Sequence, residues 1–309
     1  MIKLAIVIPY YKLTYFDDTL ESLSNQSDKR FKVYIGDDAS PENPERLLEI
    51  YKDKFEFVYH RFNENLGGTS LAKQWERCIG LTNNEDWIMV LGDDDVLDKT
   101  VVASFYKNEK IFYNKTNVIR FATKKIFGSK VKEDDAFTHP IWEDAADAFY
   151  RKFNKTSRSS LSEYIFSKET FLKYGFYNYP LAWNSDDRAW LDFSDNKPIY
   201  TINESCVYFR ISDYNISGKK DNILLKNKSE IQFYKFIVFN KLNYFNNEQK
   251  LRLLRRYQAE LRRFRSLKIS DFFVLLYFYL KYINIRWIQK FFKKIMNKLF
   301  NGKRKHGKS

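Results

Sequence analysis

Residues 87–95, which read Trp87-Ile88-Met89-Val90-Leu91-Gly92-Asp93-Asp94-Asp95, are the most informative segment for the fold. Five apolar residues in a short run are typical of a buried strand, and a glycine with three aspartates ends it. Adjacent carboxylates repel one another, and a bound cation is the simplest way to relieve that repulsion. The stretch therefore predicts a strand that brings a cluster of carboxylates to the edge of a sheet.

Upstream of this strand the same alternation occurs three times. Further strand-like runs occupy residues 4–8, 31–35 and 55–59, and helical patterns lie between them near residues 15–25, 42–52 and 69–81. This βαβαβαβ order predicts an α/β fold with a mostly parallel central sheet flanked by helices. Ligands of such sheets bind beyond the carboxyl ends of the strands.

Aromatic and acidic residues follow the first two strands, where we expect a nucleotide to bind. Tyr10 and Tyr11, after Pro9, could lie against a nucleobase, although aromatic residues at strand ends often only pack. Asp37 and Asp38 offer acceptors to a base or a ribose, but the same sequence is also an ordinary turn before a helix. Each motif alone therefore leaves both readings open.

A glycine-containing loop follows the third strand. It reads Asn65-Leu66-Gly67-Gly68, and its glycines can take positive φ where the loop opens the next helix. Lys73 lies on that helix and could approach a phosphate, while the alternative is an ordinary solvated lysine. Asn65, Gly67 and Lys73 are thus further candidates for binding a nucleotide.

The three aspartates after the fourth strand are the candidate metal ligands. The chain has only three histidines and two cysteines, in no metal-binding spacing, so any metal must use oxygen ligands. Mg²⁺ or Mn²⁺ held by Asp94 and Asp95 could bridge a diphosphate and stabilise its charge as it leaves. The alternative is a solvated acidic turn that caps the next helix.

A second acidic pair, Asp186-Asp187, stands at the start of a predicted helix. Carboxylates there suit the helix dipole, and capping alone would explain them. The functional alternative is a general base that takes the proton from an acceptor hydroxyl. The residues themselves do not decide between Asp186 and Asp187.

The positive charge of the chain is concentrated in its last 89 residues. Of the formal net charge of +14, residues 221–309 contribute +17 and the first 220 residues −3. This distribution argues against nucleic-acid binding by the whole protein and favours an attachment role for a basic, aromatic, helical tail. Residues 272–285 are its most hydrophobic part, and with the cations and aromatics of residues 286–300 they predict an interfacial helix at an anionic membrane.

The N-terminal apolar run is too short for a signal peptide, since it stops at Pro9. We therefore expect a cytoplasmic protein, peripheral at the inner face of the cell membrane.

Taken in their order and spacing, these motifs resemble the inverting glycosyltransferases of family 2, which have the GT-A fold. The motifs are Ile6-Val7-Ile8-Pro9-Tyr10-Tyr11, Gly36-Asp37-Asp38-Ala39-Ser40, Asn65-Leu66-Gly67-Gly68 and Leu91-Gly92-Asp93-Asp94-Asp95. The resemblance covers about residues 1–215. It implies a catalytic domain over residues 1–220, with a nucleotide-sugar half (1–98) and an acceptor half (99–220), followed by the tail of residues 221–309.

The resemblance also implies individual roles. Pro9 and Tyr11 would shape the base pocket, Asp38 would accept from the base, Asp93 would contact the ribose and Asp94 would bind the metal. Downstream, Ser185-Asp186-Asp187 is similar to the Glu-Asp pair of the family, with Ser185 in place of the glutamate. Asp186 then takes the position of the catalytic base, and Asp187 is the second choice.

The implied function is metal-dependent transfer of a sugar from a nucleotide diphosphate, with UDP-sugar as the first choice, to a glycan or lipid-linked acceptor in surface polysaccharide biosynthesis. Two alternatives stay open. One is a non-catalytic protein that binds a nucleotide sugar, and the other is a nucleic-acid-binding protein that acts through the tail. Dinucleotide and phosphate-loop glycine motifs are absent from the sequence.

Overall fold

The computed structural model describes residues 3–128, 130–131, 136–212 and 222–282. The chain divides into two compact units, residues 1–229 and residues 230–309. The first unit contains the sheet, and the second is helical.

The first half of the sheet has the predicted α/β order. Its elements are β1 Leu4–Tyr10, α1 Phe16–Ser24, β2 Phe31–Asp37, α2 Glu45–Tyr51, β3 Phe57–Arg61, α3 Leu71–Ile79 and β4 Trp87–Val90. These strands pair in the order β3-β2-β1-β4, and every pair is parallel. The carboxyl ends of the four strands therefore lie at one edge of the sheet, as the sequence predicts.

The second half continues the same sheet with mixed strand directions. It comprises β5 Val96–Leu97, α4 Val101–Phe112, β6 Val118–Phe127, β7 Lys130–Val131, β8 Trp142–Glu143, α5 Ala145–Phe153, β9 Tyr164–Ser167, α6 Lys168–Tyr174, α7 Ser185–Phe193 and β10 Ile199–Ile211. From β4 the order runs β9-β6-β10-β5, and β9 is antiparallel to both of its neighbours. Because β9 enters the sheet where β4 leaves it, the segment before β9 lies beside the carboxyl end of β4.

Apolar side chains form a layer on each face of this sheet. Ile6 and Ile8 of β1 pack in one layer, while Ala5 and Val7 pack in the other. Since both faces of β1 are covered, its sequence is continuously apolar rather than alternating. The sheet thus lies between helices on both sides. The edge formed by the strand ends is not covered by these two layers, so a ligand can approach the sheet there.

The C-terminal region is helical, as predicted. Its elements are α8 Ile223–Phe236, a π-helical turn Ile237–Lys241, α9 Asn247–Phe264 and α10 Ile269–Tyr282. The helix α9 begins with a capping box between Asn246 and Gln249. Among the residues that the structure describes, no helix has the length and apolar character needed to cross a membrane. The predicted interfacial segment 272–285 lies in α10 up to Tyr282, and the basic residues after it lie outside the described residues.

Candidate active site

The residues Gly92 to Asp95, here called the aspartate turn, begin two positions after Val90, the last residue of β4. Asp93 joins this turn to the end of β1, because its Oδ2 accepts from the backbone N–H of Tyr11 at 2.8 Å and of Lys12 at 2.9 Å. Burial raises the pKa of Asp93, although these two hydrogen bonds act in the opposite direction. Asp93 therefore holds together two strand ends at which we expect the donor to bind.

Asp94 and Asp95 border the same small space over Gly92. A Cβ atom added to Gly92 would lie 3.1 Å from Asp94 Oδ1 and 3.1 Å from Asp95 Oδ2. Asp95 also accepts from the backbone N–H of Arg210 at 2.8 Å and from the Ser162 hydroxyl. Burial, followed by the negative charge of Asp94, raises the pKa of Asp95 to about 7. The two carboxylates thus repel each other beside a space that only a residue without a side chain leaves open.

This arrangement fits a divalent cation in part. Carboxylate oxygens are ligands that Mg²⁺ and Mn²⁺ prefer, and a cation would relieve the repulsion between Asp94 and Asp95. However, the described portion of the chain contains no group of three His, Cys, Asp or Glu side chains that could hold a metal ion. A cation at the aspartate turn therefore needs further oxygen ligands from a substrate or from water.

Arg210, at the end of β10, holds the aspartate turn in place and was not among the predicted site residues. Its guanidinium donates from Nε to the carbonyl of Asp94 at 2.7 Å and from Nη2 to Asp18 Oδ2 at 2.8 Å. It also lies 4.1 Å from the ring centre of Tyr15. The only sequence signal for this role is a single arginine near the end of a strand, and its partners are 116 and 192 residues away.

Asp37 and Tyr10, two of the predicted nucleotide contacts, are fully buried. Asp37 accepts from Ser40 N at 2.8 Å, from the Tyr59 hydroxyl at 2.6 Å and from Arg61 Nη1 at 2.7 Å. Tyr10 donates its hydroxyl to the carbonyl of Glu42 at 2.7 Å. With 0% of either residue exposed, neither has a surface on which a nucleotide could contact it in this structure. For both, the alternative readings of turn and packing describe the arrangement.

Asp38 is oriented differently and organises the glycine-containing loop. Its Oδ1 accepts from Leu66 N at 2.8 Å and from Arg77, and its Oδ2 accepts from Gly67 N at 2.9 Å. The expectation of positive φ at Gly67 and Gly68 is wrong, since neither has it. Gly67 is required for a different reason: a Cβ atom there would lie 2.5 Å from Asp38 Oδ2. The loop is therefore fixed by close approach to a buried carboxylate.

The remaining predicted donor contacts keep some exposed surface at this edge. Pro9 and Tyr11 are partly exposed on either side of the buried Tyr10. Asn65 is exposed, and its Oδ1 accepts from Gly68 N at 2.6 Å. Lys73 Nζ forms an exposed ion pair with Glu76 Oε2 at 2.7 Å. Such a pair is weak, so a phosphate could compete for this lysine.

The second acidic pair, Asp186 and Asp187, is here called the carboxylate pair. It lies in the first turn of α7. Asp187 is only 5% exposed, and its oxygens are bound to Lys152 Nζ at 2.6 Å and to Asn184 Nδ2 at 3.0 Å. Asp186 is half-buried, and burial, with the charge of Asp187, raises its pKa to about 7, while Lys152 acts to lower it. The two carboxylates thus occupy different environments.

Strained backbone precedes the carboxylate pair. Leu181, Ala182 and Asn184 have φ of 59°, 51° and 67°, in the left-handed region that residues other than glycine seldom adopt. Each costs about 1 kcal/mol or more, and such residues concentrate at functional sites. No pattern in the sequence indicates this strain.

The segment 158–163, before β9, connects the aspartate turn to the carboxylate pair. Ser162 accepts from the backbone N–H of Gly92 at 3.1 Å and donates to Asp95. The fully buried Glu163 binds Arg158 at 3.3 Å, and its charge contributes to the raised pKa of Asp186. Arg158 in turn acts to lower the pKa of Asp95. The antiparallel strand β9 therefore brings both acidic clusters to one region.

Comparison with known proteins agrees with this fold. Residues 5–128 match the family model "Glycosyl transferase family 2". No curated protein matches the chain by sequence. Among solved structures, residues 1–349 of S. aureus TarS in complex with UDP-GlcNAc superpose with a TM-score of 0.64 at 13% identity, covering 90% of this chain and 79% of that one. GalNAc-T7, solved with UDP, GalNAc and Mn²⁺, gives a TM-score of 0.54 at 12% identity, covering 77% and 50%.

The match and the fold define the class: the protein is a glycosyltransferase with a GT-A fold. Within that class, residues 5–128 are the stretch that matches the family 2 glycosyltransferases.

Proposed function

We propose that this glycosyltransferase moves a sugar from a UDP-sugar to a hydroxyl group of an acceptor, with inversion at the anomeric carbon. The observation that carries the proposal is that residues 158–163 contact both acidic clusters: Ser162 donates to Asp95, and Arg158 lines one cavity with Asp187. One cluster suits a diphosphate with its cation, and the other suits a general base. The structural likeness to TarS, which was solved with UDP-GlcNAc and with UDP, supports this choice of donor.

The donor lies, in this proposal, along the ends of β1 and β4. Pro9 and Tyr11 offer partly exposed surface for the base. Asp38 acts through the loop that it fixes, and the exposed Asn65 lies in that loop. Asp93 Oδ2 already accepts a hydrogen bond from the backbone N–H of Tyr11. We therefore propose that Oδ1 accepts a hydrogen bond from a ribose hydroxyl.

Asp94 and Asp95 would hold a Mn²⁺ or Mg²⁺ ion, which supplies positive charge to the leaving diphosphate. Two carboxylates are fewer ligands than such an ion takes, so the diphosphate must supply others. We therefore expect UDP affinity to rise about tenfold or more when Mn²⁺ is added, and to lose that increase in Asp94→Ala. Calorimetry with and without EDTA measures both. Equal UDP affinity in all four conditions would remove the metal from the proposal.

Asp186 is the proposed base. It accepts the proton of the acceptor hydroxyl while the oxygen forms a bond to the anomeric carbon and the bond to the diphosphate breaks. Its raised pKa suits this task near neutral pH. Asp187, whose oxygens bind Lys152 and Asn184, is already occupied and supports the position of Asp186.

The test compares Asp186→Asn, Asp187→Asn and the control Asp195→Asn, a surface aspartate just after α7. We expect Asp186→Asn to lower sugar transfer about 100-fold or more, with UDP affinity changed less than about twofold. Unchanged transfer in Asp186→Asn would reject the base. If the unmodified protein binds UDP but transfers no sugar from any nucleotide sugar tested, the non-catalytic binding protein is the better reading.

For the acceptor, we propose a glycan or lipid-linked glycan of a surface polysaccharide, made at the inner face of the cell membrane. The surface of α10 supports the membrane part of this proposal. Ile269, Phe273, Tyr277 and Leu280 are exposed at helical spacing, so they form an apolar stripe on one side of α10. Exposed apolar stripes of this kind mark contact with a membrane or a partner.

A lysine lies beside each of two exposed aromatic residues of this helical unit, Tyr277 and Phe239. Lys281 Nζ lies 5.6 Å from the ring centre of Tyr277, and Lys235 Nζ lies 5.8 Å from that of Phe239. Phe239 and Phe273 line the same groove of about 490 Å³. Apolar rings that insert between headgroups, with cations beside them, favour anionic over neutral lipid.

Sedimentation with phosphatidylcholine vesicles, with and without phosphatidylglycerol, tests this surface. We expect binding only to the anionic vesicles, and the double variant Ile269→Ser with Phe273→Ser should lose most of it. Leu172→Ser, an equally exposed leucine in α6, is the control. Unchanged sedimentation of the double variant would exclude the stripe. Salt-dependent binding to RNA without binding to vesicles would favour the nucleic-acid alternative.

A further inference from the structure

Lys152, near the end of α5, is the cation that binds the carboxylate pair. Its Nζ lies 2.6 Å from Asp187 Oδ1. Burial alone would lower the pKa of Lys152, but the charges of Asp187 and Asp186 outweigh burial and raise it. The lysine therefore stays protonated over the whole pH range in which a transferase is assayed. Nothing in the sequence singles it out from the other lysines.

Lys152 is held in position by its neighbour in the chain. Arg151 forms two hydrogen bonds to Glu143, and the same glutamate binds Arg120 Nη2 at 2.8 Å. Arg120 is fully buried and also donates to Thr201 of β10. This end of α5 is thus fixed to the sheet through a buried ion-pair network, and the lysine side chain extends from a rigid site.

The charges around Asp186 come from three directions. Asp187, on the same helix, and Glu163, before β9, both raise its pKa, while Lys152, on α5, lowers it. Glu163 is itself paired with Arg158, whereas the carboxylate pair is opposed by Lys152. If the positive charge is removed, the deprotonated pair loses its electrostatic stabilisation. The two close carboxylates, which titrate as a coupled unit, then hold a proton up to a higher pH.

We propose that Lys152 is a positioning residue for sugar transfer: it holds Asp187 by an ion pair and supplies a positive charge that favours the deprotonated form of Asp186, which accepts the proton of the acceptor. This inference rests on the proposed role of Asp186 as base. When Asp186 takes the acceptor proton, the pair and Lys152 together pass from net −1 to net zero. Without Lys152 the pair would keep that proton up to a higher pH.

The first test is the pH dependence of transfer. Lys152→Gln keeps a hydrogen-bond donor for Asp187 but removes the charge, Lys152→Arg keeps the charge, and Lys155→Gln is a control at an exposed lysine just after the same helix. In Lys152→Gln we expect the acidic limb of kcat/KM to move up by about one pH unit. Transfer then falls about tenfold on that limb and recovers at alkaline pH. Lys152→Arg should keep the limb of the unmodified protein.

A purely structural role gives a different result. Lys152→Gln would then lower kcat/KM by the same factor at every pH, with the limb unmoved, and that result overturns the proposal. If Lys152→Gln does not fold, as judged by its thermal transition, Lys152→Met takes its place in both measurements.

The second test does not depend on activity. Carbon-13 labelling of the aspartate carboxyl groups allows Asp186 to be titrated by NMR, and Asp186→Asn identifies its signal. We expect the midpoint of Asp186 to be higher in Lys152→Gln than in the unmodified protein, and an unmoved midpoint overturns the proposal. If the protein transfers no sugar but the midpoint moves, the proposed base is wrong and the effect of Lys152 on the pair stands.

Discussion

Asp37 distinguishes what the structure indicates from what the sequence predicts. The sequence predicts that both Asp37 and its neighbour Asp38 bind the nucleotide. The structure gives Asp37 three partners within the chain and no exposed surface. Substitutions of Asp37 should therefore lower the free energy of unfolding and leave the UDP affinity of the folded protein nearly unchanged.

The magnitudes follow from the contacts of Asp37. In Asp37→Asn the amide oxygen can still accept from Ser40 N and the amide nitrogen can donate to the Tyr59 hydroxyl. Only the bond to Arg61 is then lost, and since that arginine is 48% exposed we expect a cost of about 1 kcal/mol. Asp37→Ala also leaves the N–H of Ser40, a buried residue, without its acceptor, so we expect a cost of about 3 kcal/mol.

The assay is urea unfolding followed by tryptophan fluorescence, together with calorimetric titration of each folded variant with UDP and Mn²⁺. Asp53→Ala, at an exposed aspartate after α2, is the control and should change neither quantity. The reasoning is refuted if Asp37→Asn loses about tenfold or more in UDP affinity at an unchanged urea midpoint. Asp37 would then contact the nucleotide despite its burial.

Three further predictions follow from close contacts in the same unit. Gly67→Ala should lower the free energy of unfolding in urea by about 2 kcal/mol, because the new Cβ atom would clash with Asp38, which is held by its hydrogen bonds. Gly68→Ala should lower it by less than about 1 kcal/mol, because its Cβ atom meets only the exposed side chain of Asn65. Equal losses in the two variants would contradict this. Arg210→Met should cost about 3 kcal/mol and weaken binding of UDP with Mn²⁺, since the aspartate turn loses its support; unchanged calorimetry would show that this support is dispensable. Burial, with the charges of nearby arginines, lowers the pKa of His139 to about 3, so the unfolded chain takes up the proton first and stability falls as pH drops below about 6.5. Between about pH 6.5 and pH 5, we expect the free energy of unfolding of His139→Gln to fall by about 1.5 kcal/mol less than that of the unmodified protein. Parallel curves of unfolding free energy against pH for the two proteins would refute this.

The first half of the fold was predictable because each of its elements has a local pattern. Strands near residues 4, 31 and 87 begin where the apolar runs begin. Their ends were less accessible: β1 and β2 each continue two residues beyond the apolar run, since Pro9 and Tyr10 still pair with Gly36 and Asp37. Pairing between strands, which the local pattern does not contain, therefore fixes the strand ends.

The second half shows the same limit more strongly. The strand β9 has an ordinary apolar sequence, and nothing in it indicates that it runs antiparallel between β4 and β6. That direction decides the site, because it brings Ser162 to the aspartate turn. The prediction of two acidic clusters needed only local motifs, whereas the connection between them depends on topology.

Within the site, the sequence indicates which residues are acidic but not which oxygens are already occupied. Asp37 and Asp38 are neighbours, yet the first binds β3 residues 22 and 24 positions away and the second binds the loop after β3 and Arg77 on α3. Such partners are separated widely along the chain, so composition and spacing cannot distinguish the two carboxylates. Only the fold assigns one to the interior and the other to the loop.

The two acidic clusters also differ in how their charge is balanced, and the roles proposed for them account for this difference. The carboxylate pair is bound by Lys152. In the proposed mechanism the charge of this pair changes by a single proton in each transfer, which a permanent cation can balance. Asp95 accepts from uncharged donors, a backbone N–H and a hydroxyl, and burial together with the charge of Asp94 raises its pKa. In the proposed mechanism, a fixed lysine there would occupy the oxygens that the diphosphate and its ion would use. An exchangeable cation would instead arrive with the donor and leave with the diphosphate, and the repulsion at the aspartate turn would favour the charged substrate complex over the empty site.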